Sequence, residues 1–487
     1  MKSNKLRLLS LLLSLIMLLS LAALMIGCNE ETPNNNENAN NQENNQNGNN
    51  PYENYNVPDS LPERSFASEG LDEFVIACQD DMVNFFWVED YDGGSVDNAV
   101  YRSVSAVEER FGTTVTAYQA SGNQAIKTGI TTQDGSFDFA FMLDVTAAGF
   151  SLESLFTNLY DLESLDFSKP WWPDPSIAAL TYQNKMYLGS STMSYLGLGQ
   201  TFLTYFNKTI FTDNGLELPY EAAFAGDWYL EDLIELSEDY GSYDENNDVK
   251  DIEDTFGFLA PDGFYGWFES FGIELIQKQD DDLVLNASAP EAYDLIENVY
   301  YLIIEADGGY TDSEQNVNEM FSNNQAMFVY GKLRNAYDTF RYHTVDYGIL
   351  PVPKLNEDQE NYNSAYTDRF FVIPFTPVNG KDAQDVGFIL EALSAEGYRT
   401  IYPAYYEEAM QNRYSTDAES KQMLSMLHQY RVISFSYIYG GKECYSRALN
   451  TLIAERQSKD YASFLAEGAS AAEQKLIDLK ELFSNLD

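Results

Sequence analysis

Histidine is almost missing from this chain. Only His343 and His428 occur in 487 residues, so histidine-based acid–base or nucleophilic chemistry has little to work with. Cysteine is nearly as scarce, with Cys28, Cys78 and Cys444 as the full complement. No C-x-x-C and no Cys/His cluster suggests a zinc site, and a transition-metal carrier lacks its usual ligands. G-x-S-x-G, H-E-x-x-H and phosphate-loop motifs are absent as well. Basic residues are few. Against 77 Asp and Glu stand 28 Lys and Arg, for a net charge of −49. Such a surface repels nucleic acid, and no basic stripe offers a footprint for it.

The N-terminus is organised. Lys2, Lys5 and Arg7 precede an apolar run from Leu8 to Ile26, interrupted by Ser10, Ser14 and Ser20. This reads as a secretory signal peptide, with a retained membrane helix as the alternative. The run ends in Leu24-Met25-Ile26-Gly27-Cys28, which resembles the lipobox of bacterial lipoproteins. The resemblance implies cleavage after residue 27 and lipidation of Cys28. Residues 28–65 are rich in Asn, Gln and Glu and have no apolar pattern, so they read as a disordered tether. As a flexible coil it would span roughly 30 to 40 Å. An extracellular setting permits Cys78 and Cys444 to pair. Two buried free thiols are the simpler expectation, since Cys78 lies in an apolar strand pattern.

The folded part begins near Phe66. Phe74 to Cys78, Thr113 to Tyr118 and Phe137 to Leu143 read as strands, and DNAVYRSVSAVEERF (97–111) repeats its apolar residues at helical spacing. Strand–helix–strand alternation predicts a largely parallel sheet with helices on its faces. Ligands of open α/β sheets bind beyond the carboxyl ends of the strands, which draws attention to Asp144. Further strands are expected at 186–188, 201–206, 256–258, 326–330 and 369–374, with Asp227 as a candidate cap for the following helix. The chain from Asp382 onward reads as helical.

The order of NAVYRSVSAVEERFG, FDFAFMLD, KPWWPD, YFNKTIFTDNGLELPYE, GDWYLEDLIELSEDYG, DYGILPVPKLNEDQENY and FVIP resembles the extracellular solute-binding proteins of ABC importers, in particular the sugar-type, maltose-binding-like group. The likeness runs from about 95 to 375. It implies an α/β, two-lobed, periplasmic-binding-protein-like (class II) fold with the ligand cleft between the lobes. The expected division is a signal peptide at 1–27, the lipidated tether at 28–65, lobe 1 at 66–198 plus 366–430, and lobe 2 at 199–365 plus 431–487. Chain crossings are expected near Ser194 to Thr204, Asn363 to Arg369 and Gln429 to Ser436.

The implied function is capture of a carbohydrate and its delivery to ABC permease subunits, by a monomer anchored on the extracellular face of the cytoplasmic membrane and without catalysis. A carbohydrate-active hydrolase and a sensor subunit with the same cleft remain alternatives, as do peptide or metal ligands. A sugar has apolar C–H faces and a rim of hydroxyls, so its site needs flat rings and a few orienting polar groups. With 35 Tyr and 30 Phe but 5 Trp, tryptophan carries more information per residue. Trp87, Trp172 and Trp267 are the ring candidates, with Trp228 read as structural. Asp144, Asp368 and Arg369 are the polar candidates, followed by Tyr205, Tyr330 and Tyr366. Each has a packing role as its alternative. Asp244, Asn246 and Asp248 match the first three ligand positions of an EF-hand-like calcium loop. Val249 replaces the required Gly and Thr255 the final Glu, so a polar acidic turn is the other reading.

Overall fold

The computed structural model describes residues 53–484 except 80–81, 92, 243–248, 280–281, 377–378 and 415–416. In the first sheet the apolar strand Glu73–Gln79 pairs in parallel with Thr114–Ala120 on one side and Phe139–Leu143 on the other. Arg369–Val372 joins at the edge, antiparallel to Phe139–Leu143, with Arg369 opposite Leu143. The periodic segment forms the helix Ser95–Phe111, burying Val96, Val100, Val104, Val107 and Phe111. It stops at Gly112, which takes φ +61° and returns its N–H to the Glu108 carbonyl. Each buried apolar side chain contributes roughly 1.5–3 kcal/mol. The partner surface is the helix Ala383–Pro403, where Phe388 meets Phe111 edge-on at 5.0 Å.

The second sheet runs Tyr347–Leu350, Phe202–Asn207, Ala326–Lys332, Thr255–Pro261 and Gly241–Ser242, with Gly309–Asp312 also paired to Thr255–Pro261. Phe202–Asn207 is buried at every position, as a strand covered on both faces must be. This sheet is mixed and not largely parallel. Phe202–Asn207 enters from the first lobe and runs antiparallel to both neighbours. Asp227 does not cap the helix Leu230–Ser237; Asp232 does, by accepting the Tyr229 N–H at 2.8 Å.

Three chain passes lie side by side between the sheets. Thr201 bridges to Tyr366, and Ser364–Ala365 pairs in parallel with Arg431–Val432. Arg431 ties them together. Its guanidinium donates to the Gly197 carbonyl at 2.6 Å and to the Thr201 hydroxyl at 3.2 Å, and lies 3.9 Å from the Tyr366 ring centroid.

Two expected boundaries shift. Residues 53–65 are not loose tether. Asp59 accepts from Arg110 at 2.8 Å and from Arg399 at 3.0 Å, Arg399 also holds the Val57 carbonyl, and Tyr55 packs on Tyr398. This strap is held by charge and not by an apolar stripe. Within 366–430, the helix Ala418–Gln429 lies against the second sheet and not the first: Asp417 pairs with Lys208 at 2.7 Å and accepts from Tyr220 at 2.8 Å. The final helix Tyr461–Ser484 packs on Gly441–Cys444 and the strand Asp282–Leu285, while Phe483 reaches Tyr182 and Tyr187 of the first lobe. Cys78 and Cys444 are both buried, and Cys444 is a free thiol.

Candidate ligand-binding cleft

Asp144 follows directly on the strand Phe139–Leu143 and opens the helix Asp144–Ser151, so it stands at the carboxyl edge of the first sheet. One carboxylate oxygen accepts the Val145 N–H at 2.7 Å. The other, Oδ2, is buried and without a partner. Burial pushes the Asp144 pKa up to about 6, against the opposing pull of Arg369, the Val145 N–H, Lys332 and Arg447. Arg369 sits across the strand pair from Leu143, and its Nε is likewise buried and unpartnered.

The facing wall comes from the second lobe. Phe202 and Lys332 are opposite one another in the sheet. Phe202 stacks on Tyr330 at 5.2 Å with 14° between the rings, and Tyr330 rests on Trp267 at 4.9 Å. The Tyr330 hydroxyl donates to the Tyr265 carbonyl at 2.8 Å and so holds Tyr265 at the rim. This packing depends on Gly266, whose φ is +75° and where a Cβ would meet the Phe202 ring at 2.5 Å. Gln200 and Thr367, from two of the crossing segments, contribute to the lining, as do Tyr437, Tyr439 and Arg447 from the C-terminal segment and Gln474 and Lys475 from the final helix. Together they enclose about 960 Å³. The Gln200 Oε1 and the Tyr439 hydroxyl are also buried without partners. The cleft is therefore lined by aromatic side chains, buried Phe202 and exposed Tyr265 among them, and by several unsatisfied donors and acceptors.

Of the residues singled out in the sequence, Asp144 and Arg369 line this cleft. Tyr330 stands one layer behind Phe202, and Trp267 stands behind Tyr330. Tyr205 is buried in the sheet, its hydroxyl on the Lys332 and Leu333 carbonyls. Tyr366 and Asp368 belong to the crossing. Tyr366 bonds the Ser176 hydroxyl, and Asp368 accepts from Ser190 with its pKa raised by burial to about 6. Gly197 gives Asp368 its room, since a Cβ there would meet Oδ2 at 2.5 Å. The two lobe-1 tryptophans point elsewhere. Trp87 donates to the Val115 carbonyl at 2.8 Å. Trp172 and Trp171 donate to the two oxygens of Glu391 at 2.9 and 3.0 Å, a buried clamp inside the lobe. Trp228 is structural, donating to the Pro351 carbonyl. Phe202, Tyr265, Lys332 and Arg447 were not anticipated. Phe202 is one of 30 Phe in the chain, and Arg447 lies in the tail that read only as helical. Asp244, Asn246 and Asp248, and also Cys28, lie outside the described residues. Among the described residues no group of His, Cys, Asp and Glu is placed to hold a metal ion.

No protein-family profile matches this chain, and no curated protein matches it in sequence. Solved structures match in fold. A cyclo/maltodextrin-binding protein complexed with maltotetraose superposes with a TM-score of 0.54 at 16% identity, over 86% of this chain and 98% of its own. An ABC substrate-binding protein from Listeria monocytogenes in complex with cycloalternan gives 0.52 at 12% identity, over 85% of this chain and 100% of its own. UgpB from Mycobacterium tuberculosis in complex with glycerophosphocholine gives 0.56 at 13% identity, over 84% and 98%. These likenesses establish the fold, which is the class II two-lobed arrangement with a cleft between α/β lobes.

Proposed function

We propose that this protein captures a carbohydrate in the interlobe cleft and delivers it to an ABC permease without chemical turnover. The observation that carries the reading is that the aromatic rings of Phe202 and Tyr265 line the same cleft as unpartnered polar groups, namely Asp144 Oδ2, Arg369 Nε, Gln200 Oε1 and the Tyr439 hydroxyl. A pyranose stacks its C–H face on an aromatic ring and satisfies buried polar atoms with its hydroxyls. The two-lobed architecture suits capture, because hinge closure buries a ligand that touches both walls. Solved proteins of this fold hold maltotetraose and cycloalternan, which supports a saccharide, and oligosaccharides fit the size of the cleft.

The N-terminal pattern adds a location to this reading. Residues 1–27 export the chain, Cys28 takes the lipid, and the polar segment lets the body work beside the outer face of the cytoplasmic membrane. No helix among the described residues is long and apolar enough to cross a membrane. The body itself acts as a monomer. The test is thermal unfolding of the purified protein against a panel of mono- and oligosaccharides, with calcium and peptides as controls. A ligand at 100 times its dissociation constant adds about 2.7 kcal/mol of stability. Stabilisation by one saccharide class, with the sugar recovered intact after hours, is expected. Cleavage of the sugar would instead assign a hydrolase, and no shift with any saccharide would overturn the carbohydrate assignment.

A further inference from the structure

The charge of the cleft is opposite in balance to that of the chain. Over the whole sequence acidic residues outnumber basic ones 77 to 28. In the cleft lining, Lys332, Arg369, Lys442, Arg447 and Lys475 face three carboxylates, Asp144, Glu443 and Asp478. Elsewhere many cations are paired, Arg64, Arg110, Lys208, Lys381, Arg399 and Arg456 each holding a carboxylate, while Lys250, Lys278 and Arg431 are satisfied by backbone carbonyls. In the cleft only Lys332 holds a carboxylate, Glu314 at 2.6 Å. Among the described residues, Arg369, Lys442, Arg447 and Lys475 have no carboxylate within ion-pair distance. Arg447 lies over the Tyr265 ring at 4.4 Å, and Arg369 has only a 3.4 Å contact to the Asp368 carbonyl besides its unpartnered Nε. The lining thus carries more cations than carboxylates, with Lys332 and Arg369 repelling each other and Lys475 lying near Glu443 and Asp478, and a neutral ligand leaves the cationic excess uncompensated.

We propose that the ligand is an anionic saccharide, one whose sugar units carry carboxylate, sulfate or phosphate groups, and that Arg369 and Arg447 are its specificity-determining contacts. The inference rests on the carbohydrate reading of the cleft. A planar guanidinium binds an oxyanion through two parallel N–H bonds, which suits either arginine to an acidic group. Lys332 and Lys475 add point charge, and because Arg369 belongs to the first sheet and Lys332 to the second, a ligand bridging the lobes meets cations on both sides. Asp144, one carboxylate amid Arg369, Lys332 and Arg447, keeps a free oxygen for a sugar hydroxyl. The chain's overall negative charge opposes an acid only at long range, and that field is screened beyond about 8 Å at physiological salt.

The experiment is titration calorimetry of the purified protein with matched pairs: a trigalacturonate against its methyl ester, and a sulfated and a phosphorylated trisaccharide against their unmodified parents. One acid class should bind at least about tenfold more tightly than its neutral partner, and which class does so identifies the charged group. Arg369→Gln and Arg447→Gln should each weaken the acid by at least about tenfold more than they weaken the neutral partner. Arg456→Gln, outside the cleft, should change neither. Unchanged unfolding temperatures of the free variants exclude misfolding as the cause. Equal affinity for acid and neutral partners, or equal weakening of both by the arginine variants, overturns the anionic assignment while the carbohydrate reading stands. Absence of binding by every saccharide, charged or neutral, overturns both.

Discussion

Glu269 is the most exacting point for the physical account, because it is an acid in the apolar packing behind the cleft. It lies in the short helix Trp267–Ser270, 8% exposed, next to the tryptophan that supports Tyr330. Burial, with a smaller contribution from the nearby Glu274 carboxylate, pushes its pKa from 4.5 up to about 8. The folded state therefore holds a proton that the unfolded chain releases above about pH 4.5. The stability linked to this group is fully present below pH 4.5 and is lost as pH rises through about 8. At 1.36 kcal/mol per unit, parent stability should fall by about 3 kcal/mol between pH 4 and pH 7 on account of this residue alone. Glu269→Gln keeps the shape and removes the titration. Denaturant unfolding of parent and variant at pH 4, 5.5, 7 and 8 isolates the effect, since any fixed cost of the substitution cancels in the pH dependence. The variant should gain about 3 kcal/mol on the parent from pH 4 to 7. Parallel curves across that range would refute the reasoning and place Glu269 in contact with water or a cation.

Three further outcomes are expected. Asp59→Ala removes the charged bonds from Arg110 and Arg399 and should cost about 2–3 kcal/mol, with faster proteolysis within 53–65. The pKa of Asp59 is held at about 2, with Arg110 and Arg399 outweighing the opposing effect of burial, so this stabilisation is present above about pH 4 and is lost as pH falls through 2. Lys278→Met removes an ammonium that donates to the Ala178, Ala179 and Thr181 carbonyls at 2.8, 2.8 and 2.7 Å, across the lobes and at the end of the helix Asp174–Leu180. It should cost about 1–3 kcal/mol and raise the radius of gyration in small-angle X-ray scattering. Gly266→Ala forces a Cβ against Phe202 at a positive φ and should cost at least about 1 kcal/mol and weaken saccharide binding, both read by thermal shift.

Much of the fold was legible because its signals are local. The strand Glu73–Gln79 and the helix Ser95–Phe111 follow from their apolar spacing. Asp144 followed from the rule that ligands sit at strand carboxyl ends, and Arg369 from its place at the start of an expected strand. What escaped was set by contacts distant in sequence. Trp172 looked like a sugar platform, yet its indole is taken by Glu391, 219 residues away. The end of the tether looked unstructured because it lacks apolar periodicity, while its anchors Arg110 and Arg399 are remote from Asp59. The C-terminal segment read as helical packing, but it supplies Tyr437, Tyr439, Arg447 and Lys475 to the cleft. Phe202 was hidden in a uniformly apolar strand, where period alone does not separate the cleft end from the core.

The central claim is that the cleft between the lobes holds a saccharide against Phe202. It is tested most directly by calorimetric titration of parent and Phe202→Ala protein with the saccharide that gives the largest thermal shift, followed by chromatography of the recovered sugar. The account predicts one site per chain, intact sugar, and an affinity loss of about ten- to a hundredfold in the variant, the value of a desolvated aromatic contact. Unchanged affinity in Phe202→Ala would put the ligand elsewhere and contradict the account.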